Sequence, residues 1–237
     1  MTSIRAFPDP DLISGVTGVD TQVLPWPGYT FSTGTSATAD HVEASYHALA
    51  EHLGVPRAHI LTVHQVNGDT VVTEKGAGSP ADAIMTAVPG FLLGVKLADC
   101  AGVLIYDPVR KAVAAVHSGW RGTAADIVGA TVDAMQRTYG TRPAELRCWI
   151  SPCASGARYE VGADVYAVLA PYCTPQGDRW LFDNRAAITD QLVRAGVSAA
   201  AIEGDDLCTM TDDRWHSHRR DGERAGRMLA FIGVFPA

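Results

Sequence analysis

Between residues 38 and 53 apolar side chains recur at Val42, Tyr46, Leu49, Ala50 and Leu53. That is the three- and four-residue step of an amphipathic helix, and Gly54 followed by Pro56 supplies its stop. The same periodicity predicts a helix over 124–139, where Ile127, Val128, Thr131, Val132 and Met135 form the stripe and Gly140 ends it. Further helices are predicted over 163–170 and 184–195. A β-rich run over 60–66 closes at Asn67-Gly68-Asp69 and resumes over 70–73, which reads as strand, turn, strand. Apolar runs over 91–97, 103–106, 112–116, 147–151 and 227–234, with a shorter one near Ala201, predict the remaining strands. Pro8, Pro10, Pro25 and Pro27 break the first thirty residues into short strands and turns, and Pro171 and Pro175 mark an irregular stretch. No repeat or linker interrupts the pattern, so one mixed α/β domain over 1–237 is expected.

Composition narrows the class. The 237 residues are 47% hydrophobic and 19% charged, which excludes intrinsic disorder and supports a continuous core. A net charge of −7 repels polyanions, so neither nucleic acid nor an anionic membrane surface is an expected partner. The five cysteines, Cys100, Cys148, Cys153, Cys173 and Cys208, are odd in number and show no CxxC spacing, which fits reduced thiols. The N-terminus lacks an apolar signal core, and no run reaches the roughly 18 apolar residues of a membrane helix. A cytoplasmic location is expected.

Three segments put reactive side chains at strand-to-loop junctions, where a rigid scaffold holds a site. They are His64-Gln65-Val66-Asn67-Gly68, Ala98-Asp99-Cys100 and His117-Ser118-Gly119-Trp120-Arg121-Gly122. A cysteine and a histidine brought together suit either a soft metal or a thiolate nucleophile with its base; taken singly, each reads more readily as a buried structural residue. A fourth segment, 214–227, holds Arg214, Arg219, Arg220, Arg224 and Arg227. Local sequence supports two readings of it: a guanidinium clamp for phosphate, or a solvated turn whose arginines pair with Asp212, Asp213, Asp221 and Glu223. If the segment were a strand, His216 and His218 would share a face as a His-x-His pair.

Taken in order, Ala81-Asp82-Ala83-Ile84-Met85-Thr86, Ala98-Asp99-Cys100, His117-Ser118-Gly119-Trp120-Arg121-Gly122-Thr123, Tyr159-Glu160-Val161-Gly162 and Ser217-His218-Arg219-Arg220-Asp221-Gly222 resemble the YfiH-like, or laccase-domain, family. The likeness runs from about Leu61 to Ile232, with residues 1–60 matching less well. It implies an α+β fold, a single compact domain of mixed β-sheets flanked by helices. It also implies an enzyme of the purine nucleoside phosphorylase type, with adenosine deamination as a side activity, taking a nucleoside and phosphate as small-molecule partners. Carried over by motif, one zinc would be held by Cys100, His117 and a histidine of a Gln-Val-His-Gly motif. This chain reads Gln65-Val66-Asn67-Gly68 at that motif.

The departure lowers the expected affinity for zinc, because an amide oxygen is a poor donor to an ion that prefers imidazole and thiolate. His64 lies three residues before Asn67, and on a regular strand that odd offset faces the other way, so it substitutes only if the turn begins early. Gln65, Asn67, Arg219, Arg220 and Arg227 are the expected substrate-binding residues, and Cys100 and His117 the catalytic ones. Copper is not expected, since the ligand repeats of a multicopper cluster are missing. Two alternatives stand beside the phosphorylase reading. One is a metal-independent Cys-His hydrolase or amide-bond enzyme, of the kind that edits peptidoglycan precursors; the other is a diverged biosynthetic or non-catalytic binding member.

Overall fold

The computed structural model describes residues 3–22, 24–33 and 37–236. Its strands form three sheets. The first holds, in spatial order, β1 (Ser3–Arg5), β2 (Leu12–Thr17), β14 (Met228–Val234), β6 (Leu92–Leu97) and β3 (Ile60–Thr62). The second is ordered β13 (Ile202–Gly204), β9 (Arg147–Ile150), β7 (Ala101–Asp107), β8 (Ala112–Ser118), β5 (Ala83–Thr86) and β4 (Val71–Thr73). A small third sheet joins β10 (Glu160–Val161), β12 (Arg179–Phe182) and β11 (Cys173–Gln176). Pairing is antiparallel except for β3 with β6, β4 with β5 and β13 with β9.

The two large sheets pack face to face because their strands carry apolar side chains on both sides. Every residue of β7, β8 and β14 is buried, as in sheets covered on two faces. The layer between the sheets contains Val16, Leu93, Val95, Leu97, Ala230 and Ile232 from one, and Ile84, Leu104, Tyr106, Val113, Ala115 and Trp149 from the other. Alternate residues on the outer faces are capped by helices. Helix α1 (Ala39–Leu53) lays Val42, Tyr46, Leu49 and Ala50 over Ile60, Leu92, Leu229 and Phe231. On the opposite side α3 (Ile127–Tyr139) and α5 (Asn184–Arg194) cover Val103, Ile105, Ala114 and Val116. The result is a four-layer α/β/β/α arrangement of mixed sheets flanked by helices. No helix among the described residues is long and apolar enough to cross a membrane.

Several elements depart from the sequence reading. The helix expected over 124–139 is α3, which begins at Ile127; before it the chain forms a separate short helix, α2 (Trp120–Ala124), and breaks at Asp126. Asp126 takes a left-handed conformation (φ 58°) and its side chain accepts the Gly129 amide, a cap that overrides the continuous apolar periodicity. The strand expected over 60–66 ends at Thr62; an isolated bridge joins His64 to Pro80, and residues 66–68 are held by a side chain. The irregular stretch around Pro175 includes strand β11, at the edge of its sheet, where a missing amide is tolerated. Between α4 (Ala163–Leu169) and the C-terminal strand, the segment around His216 is not a strand, and His218 opens the short helix α6 (His218–Asp221). His216 is buried and bonded to the Tyr29 carbonyl at 2.9 Å, so no His-x-His pair forms.

Replacing Asp126 by Ala removes the cap of α3 and leaves a β-carbon-bearing residue without side-chain compensation at positive φ. A loss of about 1–2 kcal/mol is expected in urea unfolding, whereas Asp126→Asn should lose less than half of that.

Candidate active site

The hairpin register builds the centre of the site. Ala101 of β7 stands opposite Ser118 of β8, so one step beyond the ladder Cys100 meets Gly119. A β-carbon on Gly119 would lie 2.8 Å from Cys100 Sγ and 3.6 Å from Asn67 Oδ1. The bare glycine therefore leaves room for the thiol, and it places the cysteine and Asn67 around one point. His117, one residue inside the end of β8, is buried, and its ring lines the same cavity as Cys100.

Asp82, which immediately precedes β5, organises this group. Its fully buried carboxylate accepts the amides of Val66 (3.2 Å), Asn67 (3.0 Å) and Gly68 (2.7 Å) and pairs with His117 Nδ1 at 2.8 Å. Its own carbonyl accepts the His117 amide at 2.7 Å. Asn67 can follow this path because Asn tolerates the left-handed region (φ 60°). Asp99 does the same on the other side (φ 78°). Its carboxylate accepts Thr209 Oγ1 at 2.7 Å and the Arg219 amide at 2.6 Å, and its carbonyl accepts the Ala154 amide at 2.9 Å. Cys100 thus projects from a residue that is fixed from three directions.

Charge follows from this geometry. Burial by itself pulls the His117 pKa down, but Cys100 and the Asp82 carboxylate more than reverse it, and the imidazole is pushed up to about 9. Burial alone would raise Asp82, yet its bonds to His117 and to the loop amides hold it below the usual carboxylate value. Around the pair lies a cavity of about 530 Å³ lined by His64, Gln65, Asn67, Lys96, Cys100, His117, Arg121, His218 and Arg227, among others. Among the described residues, no carboxylate lines it.

Of the residues expected from sequence, Cys100, His117, Asn67, Gln65, His64 and Arg227 all line this cavity. Gln65 is committed at both ends of its amide to the Lys96 backbone, at 2.7 and 2.8 Å, and so positions Lys96. Arg219 lines an adjoining cavity with Cys100, Gly119 and Tyr159; its guanidinium donates to the Glu160 carbonyl and stacks over Tyr159. Arg220 is a correction. It lines neither cavity, because its guanidinium is taken up by Asp221 and by the carbonyls of Thr209, Asp212 and Trp215. Arg214 likewise pairs with Asp212 at 2.6 Å. Sequence reasoning overlooked Lys96, Arg121 and Asp82; the last two stand inside quoted motifs, and their place there was the available signal.

The family described as multi-copper polyphenol oxidoreductase laccase matches residues 17–235. The chain belongs to this family. It is 36% identical over 210 residues to a purine nucleoside phosphorylase of Xylella fastidiosa, covering 81% of this chain and 79% of that protein. It is 35% identical over 192 residues to a purine nucleoside phosphorylase of Deinococcus radiodurans, covering 78% and 74%. Among solved structures, YlmD from Geobacillus stearothermophilus superposes with a TM-score of 0.91 at 27% identity, covering 99% of this chain and 96% of that one. The hypothetical protein YfiH of Bacillus licheniformis gives 0.88 at 26% identity, covering 94% and 92%.

The zinc implied by the resemblance fits these residues incompletely. Cys100 and His117 can share an ion, but the third position offers only the Asn67 amide. Among the described residues no three His, Cys, Asp or Glu side chains converge to hold a metal, His64 included. Asn67→His restores an imidazole, and histidine is one of the residues that accept left-handed backbone. Zinc affinity, measured by competition with a chromogenic chelator, should tighten at least about tenfold, or about 1.4 kcal/mol; unchanged affinity would show that residue 67 is not at the ligand position.

In chelator-treated protein, the folded state binds the His117 proton more tightly than the unfolded state does. Its contribution to stability is complete below about pH 6.5 and is lost as pH rises through about 9. His216 has the opposite sign: burial pushes it down to about 4, so its contribution holds above 6.5 and is lost as pH falls through 4. Urea midpoints should therefore peak near pH 6.5, and Asp82→Asn should cost about 3 kcal/mol there and flatten the alkaline limb.

Proposed function

We propose that the chain is a purine nucleoside phosphorylase-type enzyme that transfers the ribosyl group of an adenosine- or inosine-type nucleoside to phosphate. The observation that carries this reading is the charge of the cavity. Lys96, Arg121 and Arg227 bring positive groups to its wall beside the protonated, Asp82-paired His117, and no carboxylate of the described residues lines it. In a protein of net charge −7, such a concentration of cations favours an anionic reactant. The names of the relatives supply the nucleoside.

In the reaction a phosphate oxygen forms a bond to C1′ while the C1′–N9 bond breaks. The electron pair of that bond passes to the purine, which takes up a proton. The residues of this chain suit those needs separately. Arg227, with Nη1 anchored on the Ala225 and Gly226 carbonyls at 2.8 and 2.9 Å, and Arg121, stacked on Trp120 at 4.2 Å, hold charge at fixed points for phosphate. His117 carries a proton at neutral pH and is oriented through Nδ1 by Asp82, so its other nitrogen, on the Cys100 side of the ring, is the one that would pass a proton to the departing base. Held on one wall, these groups would align the two reactants.

A second reading is favoured by one specific observation: Asp82, His117 and Cys100 succeed one another as orienting acid, base and thiol. That order suits attack of the thiolate on a carbonyl, with His117 moving the proton and no metal required. One assay series separates the two. With inosine or adenosine, free base and ribose 1-phosphate should appear in equal amounts and only when phosphate is present. Arg227→Met should raise KM for phosphate at least about tenfold with a smaller effect on kcat. Base release indifferent to phosphate would overturn the phosphorylase reading. No release at all, together with Cys100-dependent hydrolysis of ester or amide substrates, would establish the second.

A further inference from the structure

Cys153 and Cys208 take no part in the cavity described above, and all five cysteines are unpaired. The two are partners in an isolated parallel β-bridge, in which the Thr209 amide donates to the Cys153 carbonyl at 3.1 Å. Bridged chains run about 4.8 Å apart, inside the range of about 4.4–6.8 Å that a disulfide spans between α-carbons. Cys208 Sγ accepts the Ser155 amide at 3.4 Å, so its thiol lies over the chain that carries Cys153. Cys153 itself lines a second cavity, of about 230 Å³, with Ser155, Asp183, Arg185 and Asp206. Arg185 Nη2 stands 3.9 Å from Cys153 Sγ.

We propose that Cys153 and Cys208 form a reversible disulfide site that a peroxide closes. The two thiols are unequal in a way that assigns their roles. Burial raises the Cys208 thiol, but hydrogen bonds from Ser155, Met210 and Thr211 outweigh it and hold the group below its ordinary value. Cys153 is buried and pushed up to about 11. Cys208 is also the more accessible of the pair. Its thiolate attacks one peroxide oxygen, the O–O bond breaks, and the leaving oxygen departs as water after taking a proton. The Cys153 thiol then attacks the sulfenic sulfur, forms the S–S bond and releases a second water. Two thiols are oxidised by two electrons and one peroxide is reduced, with nothing left over. A thiol reductant reverses the bond by exchange.

The site adjoins the catalytic region through one residue. Ala154, next to Cys153, donates its amide to the Asp99 carbonyl, and Thr209, next to Cys208, donates its hydroxyl to the Asp99 carboxylate. Closing the bridge therefore locks together the two supports of the residue that precedes Cys100. This inference does not depend on which substrate the cavity takes.

The test is treatment of the full chain with stoichiometric hydrogen peroxide, alkylation of the remaining thiols, and peptide mapping without reduction. The expected product has lost two hydrogens, carries a linked peptide containing Cys153 and Cys208, and returns to five alkylatable thiols with dithiothreitol. Cys208→Ser should lose the linkage and Cys173→Ser should keep it. Because mapping of the unmutated chain decides by itself, a variant that fails to fold does not remove the test. A linkage between another pair overturns the proposal. So does oxidation that stops at Cys100, or at Cys208 as a sulfinic acid, with Cys153 still alkylatable.

Discussion

One buried carboxylate holds the site together. Asp82 has no access to solvent, and a charge in that position is tolerable only when fully paired. The chain provides three successive amides from residues 66–68 and the His117 ring. Satisfying one side chain thus fixes a loop from between β3 and β4, the end of β8, and the tautomer of the histidine, since Nδ1 must present its proton to the carboxylate. Beyond Thr62 the backbone is paired again at the bridge between His64 and Pro80, so residues 66–68 depend on the carboxylate.

The surrounding architecture explains why the constraint produces a cavity. Two sheets packed through a dry apolar layer end on the same side with different side chains. Lys96 comes from the end of β6 and Cys100 from the start of β7, while His117 closes β8 and Arg227 precedes β14. Strands buried on both faces carry few charges, and those they have lie near their ends, as Lys96 in β6 and Asp107 in β7 do. That places cations together in a protein whose net charge is negative, and their mutual repulsion is relieved when an anion enters.

Local periodicity made α1, α3, α5 and most strands legible, because those elements carry their burial pattern in consecutive residues. The motifs around Cys100 and His117 drew attention to both residues, since reactive side chains beside glycine at strand ends are conspicuous. Asp82 was not legible as the organiser: its role exists only when β5 is paired with β8 and the 66–68 loop folds over it. The arginine cluster was misleading for a related reason. Arg219, Arg220 and Arg227 look alike in sequence, but Arg220 is absorbed by Asp221 and three carbonyls, while Arg227 reaches the cavity. The break before α3 was hidden because Asp126 interrupts an apolar stripe without changing its phase.

The chemistry available to this chain rests on a histidine that keeps its proton at neutral pH inside a cationic cavity, which is possible only because Asp82 and Cys100 outweigh the cost of burial and nearby charge. Histidine-selective NMR of chelator-treated full-length protein tests that directly, by following the ring nitrogens of His117 with pH. The account predicts a transition near 9 and a retained Nδ1 proton throughout, with a Cys100→Ser variant titrating lower. A His117 ring that titrates at or below 6.5, or a neutral ring whose proton sits on the other nitrogen, would contradict it.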